Sequence, residues 1–238
     1  NKNLKIYEFG NTYFYKGTQL KDQPANNYWE ENHLGLFISG NKEAESWTMK
    51  EEAASFYGLK SYAENILKRL GLSADNMQID DCEDELFSEA LAYTSNNKVV
   101  LKLGIVAGKW LKKFEVENPV YYADFNWDNV FKAHKQHKVL FSELPKFPAV
   151  RRDLALLLDK SVKFSQLKET AFKMERQLLR EVDLFDVYEG KGVPDGKKSY
   201  AVSFILRDDS KTLKDKQIDK TMQKLIMAFE RDFGAELR

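Results

Sequence analysis

From Lys146 onward, the apolar residues change period in an order that few folds can satisfy. Val150–Leu158 is a short apolar run, the length of a buried strand. Phe164, Leu167, Ala171 and Met174 then recur at helical spacing. Val182–Tyr188 alternates and is rich in aromatic and β-branched residues, which predicts a second strand. It runs into Gly190–Gly196, a loop with strong turn chemistry. Tyr200–Leu206 predicts a third strand. Ile218, Met222, Leu225, Ile226, Phe229 and Phe233 mark one face of a long helix closed by Gly234. Thr212, three residues before Asp215, is the expected N-cap of that helix, and Ala235–Arg238 a short last strand. The order β-α-β-β-α-β is the split βαβ arrangement of a ferredoxin-like domain. Both helices then cover one sheet face and leave the other for a ligand.

The prolines of Leu144–Pro148 form a seam that neither a helix nor a central strand crosses easily. Residues 146–238 are therefore taken as one domain and residues 1–145 as another. The first domain is mostly antiparallel α+β in pattern. Lys5–Tyr15 and His33–Ser39 suit strands, and Ala53–Leu70 suits a helix with Phe56, Leu59, Ala63, Ile66, Leu67 and Leu70 inward. Leu91–Thr94 and Val99–Val106 suggest a hairpin around Ser95-Asn96-Asn97. Val120–Trp127 suggests a strand, followed by a helix from Asp128 towards His137.

Charge divides modestly between the halves. Residues 146–238 carry 20 Lys and Arg against 16 Asp and Glu, and residues 1–145 carry 17 against 21. That balance permits nucleic-acid contact at the C-terminal end without demanding it. The single cysteine, Cys82, excludes an intrachain disulfide and suits a reducing cytoplasm. Its acidic neighbours from Asp80 to Glu85 disfavour a thiolate. No apolar run reaches the roughly 18 residues of a membrane helix. The start at Asn1, with no initiator Met and no signal pattern, suggests a cut inside a longer chain.

Several motifs have a plainer explanation than chemistry. Gly190–Ser199 contains Gly-Lys-Gly and Gly-Lys-Lys-Ser, but its glycine spacing is wrong for a P-loop and a strand follows it. His134 and His137 share a helical side without a third ligand, and His33 has no partner in sequence. The acidic run lacks the glycine and ligand periodicity of a calcium loop. The constellation that suits chemistry is Asp186 and Tyr188. Two apart on a strand, they leave one sheet face together. An aromatic ring beside a carboxylate suits a splayed-out nucleobase, the ring stacking and the carboxylate accepting from a donor edge. Lys191, Lys197 and Lys198, placed in the adjoining loop, could neutralise phosphates. Taken alone, the pair reads equally well as a strand-end aromatic beside a surface acid.

Five segments in order carry a resemblance to a known family. Phe147–Ala155 (FPAVRRDLA), Leu184–Gly192 (LFDVYEGKG), Gly196–Ser199 (GKKS), Thr212–Asp215 (TLKD) and Phe233–Arg238 (FGAELR) resemble the anticodon-binding domain that closes the bacterial phenylalanyl-tRNA synthetase beta subunit. Residues 1–145 resemble the preceding module of that subunit, a class II synthetase-like core that has lost catalysis. That match rests on Leu34–Asn41, Asp124–Asn126 and Phe56–Lys60, and Gly104–Gly108 departs from the commoner Gly-x-x-His-Pro pattern. The resemblance implies a cytoplasmic α₂β₂ enzyme that charges tRNA-Phe with ATP and Mg²⁺, with the aminoacylation site on the alpha subunit. This chain would grip the anticodon and dock on that subunit, with no catalytic residue, metal or cofactor of its own. Asp186, Tyr188, Ser199 and Arg238 fall where the family contacts anticodon bases. Asp186 would accept from the guanine at the first anticodon position, Tyr188 would stack, and Ser199 and Arg238 would take other bases or phosphates. Arg151 and Arg152 also match, and their plainer role is capping or packing on the first module. One alternative is a free-standing ferredoxin-like module that binds a protein or small effector. The other is an active class II core. It is disfavoured because Arg69 is the only arginine in residues 1–145, and such cores recognise phosphate through arginine geometry.

Overall fold

The computed structural model describes residues 3–16, 27–43, 46–48, 50–135, 141 and 143–238. The chain divides into two compact units, Asn1–Leu140 and Phe141–Arg238.

In the first unit the strands β1 (Leu4–Tyr15), β2 (Tyr28–Ser39), β3 (Gln78–Asp81), β4 (Phe87–Ser95), β5 (Lys98–Val106) and β6 (Val120–Asn126) form one sheet. Their order is β1-β2-β6-β5-β4-β3, with every neighbouring pair antiparallel. Helix α1 (Phe56–Arg69) buries Leu59, Ala63 and Leu67 against Leu34, Leu101, Leu103 and Phe125 of the sheet. The expected helix start at Ala53 moves to Phe56, because the Ser55 side chain accepts from the Gly58 N–H at 3.2 Å. The expected hairpin is present. Its turn residues Asn96 and Asn97 have φ of 49° and 59°, the left-handed pair that matches the twist of the flanking strands.

Several features went unseen in the sequence. Helix α2 (Gly108–Lys113) is too short to show a helical period. Edge strand β3 takes up the start of the acidic run, and charge on an edge discourages further pairing. Asp84, just beyond it, accepts from Lys102 Nζ at 2.9 Å. The Leu86 N–H and Lys102 together hold its carboxyl below the usual range. Val120–Trp127 ends one residue early, because the Asn126 side chain accepts from the Asn129 N–H and opens α3 (Trp127–His134). His33, without a partner in sequence, lies 2.7 Å from an Asp124 oxygen through Nδ1, across 91 residues. His134 Nδ1 lies 2.7 Å from the Leu70 carbonyl, while His137 falls outside the described residues.

The second unit has strands β7 (Val150–Asp159), β8 (Leu179–Tyr188), β9 (Lys197–Leu206) and β10 (Glu236–Leu237), with helices α4 (Phe164–Met174) and α5 (Asp215–Phe233). This is the expected βαββαβ order, and the sheet runs β10-β7-β9-β8. Both helices pack on one face. Leu167 and Ala171 of α4, and Ile218, Met222, Leu225 and Phe229 of α5, share a core with Leu156, Leu158, Val202, Phe204 and Leu206. Thr212 is not the N-cap of α5. Lys214 holds that position, and its N–H is bonded by the Gln217 side chain at 3.3 Å. The reason is hydrophobic. Leu213 and Ile218 are both buried in the core, a staple that sets the helix start two residues later. Helix α4 starts the same way, with Gln166 bonded to the Lys163 N–H at 2.8 Å and Val162 and Leu167 in the core. Gly234 ends α5 at φ 60°, as its position predicts.

Two substitutions test this packing. Phe204 is fully buried with its ring 6.0 Å from that of Phe229, so Phe204→Ala should cost about 3–5 kcal/mol in urea unfolding. A Cβ at Gly104 would lie 2.4 Å from the Glu89 carbonyl oxygen, so Gly104→Ala should cost about 1–3 kcal/mol.

Candidate nucleic-acid interface

The second unit's sheet has one face without helices, and strand register decides which side chains reach it. Across β7 and β9 the pairs Ala155–Ala201, Leu157–Ser199 and Asp153–Ser203 point to that face, opposite to the core pairs Leu154–Val202 and Arg152–Phe204. On β8, Val182 pairs with Phe204 and Leu184 with Val202, so both belong to the helix side. Simple alternation would then send Asp186 and Tyr188 into the core with them.

A β-bulge prevents this. The register shifts between Leu184 and Asp186, so that Asp186 pairs with Ala201 and Tyr188 with Ser199. Phe185 is the extra residue. An inserted residue re-aims the side chains beyond it. Asp186 and Tyr188 therefore share the helix-free face, both exposed.

Tyr188 is held on three sides. Its hydroxyl donates to the Lys191 carbonyl at 3.2 Å. The Arg238 guanidinium lies 5.5 Å from its ring centroid, within cation–π range. A Cβ on Gly190 would come within 2.8 Å of the tyrosine oxygen, so the ring occupies space that only glycine leaves open. Gly192, at φ 89°, brings the loop within 3.4 Å of an Arg238 nitrogen, measured from where its Cβ would stand. Arg238 follows β10 on one sheet edge and Tyr188 ends β8 on the other, so the two meet above the middle strands. The floor there is mostly small, with Ala155, Ala201, Ser199 and Ser203, and Leu157 opposite Ser199.

Of the other residues singled out from sequence, Ser199 joins this cluster as the cross-strand partner of Tyr188, at 7% exposure. Lys191 is exposed in the loop. Lys197 and Lys198 are not loop residues. They open β9 opposite Asp159 and Leu158, so the strand begins three residues before the expected Tyr200. Lys197 Nζ pairs with Glu236 at 2.5 Å, and that hydrogen bond holds its pKa above the ordinary lysine value. Lys198 is buried. Its ammonium donates to the Lys160 carbonyl at 2.8 Å and lies 4.5 Å from the Tyr200 ring centroid.

Sequence reasoning missed Phe185. Its ring is 52% exposed, and the Arg151 guanidinium lies 5.1 Å from its centroid. Arg151 Nε donates to Asp153 at 2.8 Å, which raises the guanidinium pKa further. Arg152 donates to the Arg151 carbonyl at 3.1 Å. Leu184 and Phe185 are adjacent apolar residues in a strand that is apolar at Val182 and Val187 as well, so nothing in the strand pattern marks Phe185 as outward.

Comparison with known proteins places both units. Residues 145–238 match the family described as Ferredoxin-fold anticodon binding domain. Residues 1–127 match the Phenylalanyl tRNA synthetase beta chain CLM domain. A phenylalanine–tRNA ligase beta subunit from Bacteroides thetaiotaomicron is 48% identical over 240 residues, spanning 100% of this chain and 29% of that protein. The beta subunit from Porphyromonas gingivalis is 41% identical over 237 residues, spanning 99% of this chain and 29% of that protein. A pyrrolysyl-tRNA synthetase structure from Desulfitobacterium hafniense overlaps 57% of this chain and 43% of its own at 15% identity, with a TM-score of 0.39, too low to bear on the fold. The chain thus spans under a third of the length of the curated relatives it matches. With one family covering each unit and near-half identity along its whole length, the chain belongs to the phenylalanyl-tRNA synthetase beta chain family.

Proposed function

We propose that the second unit binds the anticodon loop of tRNA-Phe on its helix-free sheet face, as part of a phenylalanine–tRNA ligase beta subunit. In this reading residues 146–238 are the anticodon-binding domain. Residues 1–145 form a non-catalytic, class II-like core that supports assembly with the alpha subunit in a cytoplasmic α₂β₂ enzyme. The carrying observation is Tyr188 beneath Arg238, with Asp186 exposed on the same face. Single-stranded RNA is read by unstacked bases that lie on aromatic or guanidinium planes and bond through their edges.

The spacing suggests how a base enters. A base between two planes needs about 3.4 Å on each side, and ring and guanidinium are 5.5 Å apart. Arg238 therefore gives way by roughly 1–2 Å, to lie over the base, with the Tyr188 ring beneath it. The Arg238 N–H is bonded to the Ala155 carbonyl at 3.0 Å, so the movement is one of the side chain over a fixed backbone. The Asp186 carboxylate then accepts from a base donor edge, as guanine presents. Lys191 supplies phosphate contact, while Lys197 is already paired with Glu236 and the buried Lys198 is held by the Lys160 carbonyl.

ATP and Mg²⁺ belong to the holoenzyme's alpha subunit. The first unit does not fit them. Arg69, its one arginine, ends α1, and among the described residues no cluster of three or more His, Cys, Asp or Glu forms. No chemical step is assigned to this chain.

The test is fluorescence anisotropy of the 238-residue chain with a labelled tRNA-Phe anticodon stem-loop at low and moderate salt. Tyr188→Ala should weaken binding by about 5- to 100-fold, the loss of one base stack of about 1–3 kcal/mol. Replacing the first-position guanine should weaken it comparably and make Asp186→Asn nearly silent. Lys191→Ala should lower the salt dependence by about one unit of slope. Gly190→Ala should reduce affinity by displacing the Tyr188 ring, with thermal stability unchanged. Equal binding of all stem-loops by all variants would overturn the reading.

A further inference from the structure

We infer that Phe185 and Arg151 form a second nucleotide-stacking station on the same sheet face, taking another unpaired nucleotide of the strand that Tyr188 engages. This rests on the anticodon-loop reading. It is carried by a separate pair of side chains.

The bulge is the first observation. It turns two residues outward, Phe185 as well as Asp186. Packing does not require Phe185 to face solvent, since its ring lies outside the apolar core of the unit. The second observation is the cation. Arg151 reaches this ring from β7, two strands away, and Asp153 fixes it there through Nε. Guanidinium over an aromatic ring repeats what Arg238 does over Tyr188. Each pair offers a π-face and a flat cation, the two surfaces on which unpaired bases stack.

Spacing identifies the ligand class. Phe185 and Tyr188 are three residues apart on one strand, roughly 10 Å. Adjacent bases in a helical stack are about 3.4 Å apart and cannot fill both stations. An extended single strand with its bases splayed outward can. Between the stations the middle strand presents Ala201 and Ser199, with Ala155 of β7 beyond them. Asp186 lies beside Ala201 and Leu157 beside Ser199, so no aromatic ring blocks the strand's path.

The experiment measures affinity of the 238-residue chain for the anticodon stem-loop and for loops with one abasic position each. Phe185→Ala should weaken binding about 5- to 100-fold. One abasic position should abolish the effect of Phe185→Ala, and a different one should abolish that of Tyr188→Ala. Arg151→Lys, which keeps the charge and loses the plane, should reproduce part of the Phe185→Ala loss. Phe185→Tyr should bind like the unsubstituted chain, and matched melting temperatures exclude unfolding as the cause. If Phe185→Ala binds normally while Tyr188→Ala does not, the second station is overturned and the first stands. If neither matters, both readings fall. If both variants respond to the same abasic position, the two residues serve one nucleotide and the second station is overturned.

Discussion

One extra residue in an edge strand governs what the second unit can do. Strand β8 must give Val182 and Leu184 to a core shared with two helices, and a regular strand would give Asp186 and Tyr188 to that core too. Burying a carboxylate among Leu, Val and Phe side chains without a partner is strongly unfavourable. Shifting the register at Phe185 resolves the conflict, because the strand can be hydrophobic at its start and polar-aromatic at its end on opposite faces. The arrangement of Arg238 over Tyr188, and of Arg151 over Phe185, depends on that one shift. It also explains the glycine-rich loop that follows. The Tyr188 ring folds back against Gly190, and the loop's carbonyl at Lys191 takes its hydroxyl hydrogen.

Much of this was legible in the residue order, for a physical reason. Burial on one face writes a period of two or 3.6 into the chain, so the βαββαβ order, the Asn96-Asn97 turn and the Gly234 cap could be read directly. Contacts that depend on tertiary placement could not. Thr212 has the right side chain to cap α5, but buried Leu213 and Ile218 set the start elsewhere. Lys198 has the charge of a phosphate ligand, yet its ammonium is donated to a backbone carbonyl inside the unit. Lys197 and Lys198 together disguised the first turn of β9 as loop. In the site itself, the two-residue spacing of Asp186 and Tyr188 correctly put them on one face. Which face was decided by the bulge, and so was the exposure of Phe185.

The two units divide polarity differently. The first pairs polar groups with one another: His33 with Asp124, Asn126 with Glu31, Lys102 with Asp84, Tyr93 with Glu64. Burial and the Glu64 carboxylate raise the Tyr93 hydroxyl pKa well beyond the ordinary tyrosine value, which suits a structural donor. The second leaves its aromatic and guanidinium groups on an exposed face, held in place by cation–π contacts with one another. Such contacts are weak enough to be exchanged for a base, at about 0.5–1 kcal/mol on a surface. A binding face can thus be ordered before its ligand arrives without resisting it.

The most direct measurement is an amide NMR titration of the ¹⁵N-labelled chain with the tRNA-Phe anticodon stem-loop. The expected result is that shifts concentrate at Ser199, Ala201 and Ser203 on β9 and at Gly190 and Gly192 in the loop, with α4 and α5 nearly silent. Shifts confined to the two helices, with the helix-free face unmoved, would contradict it.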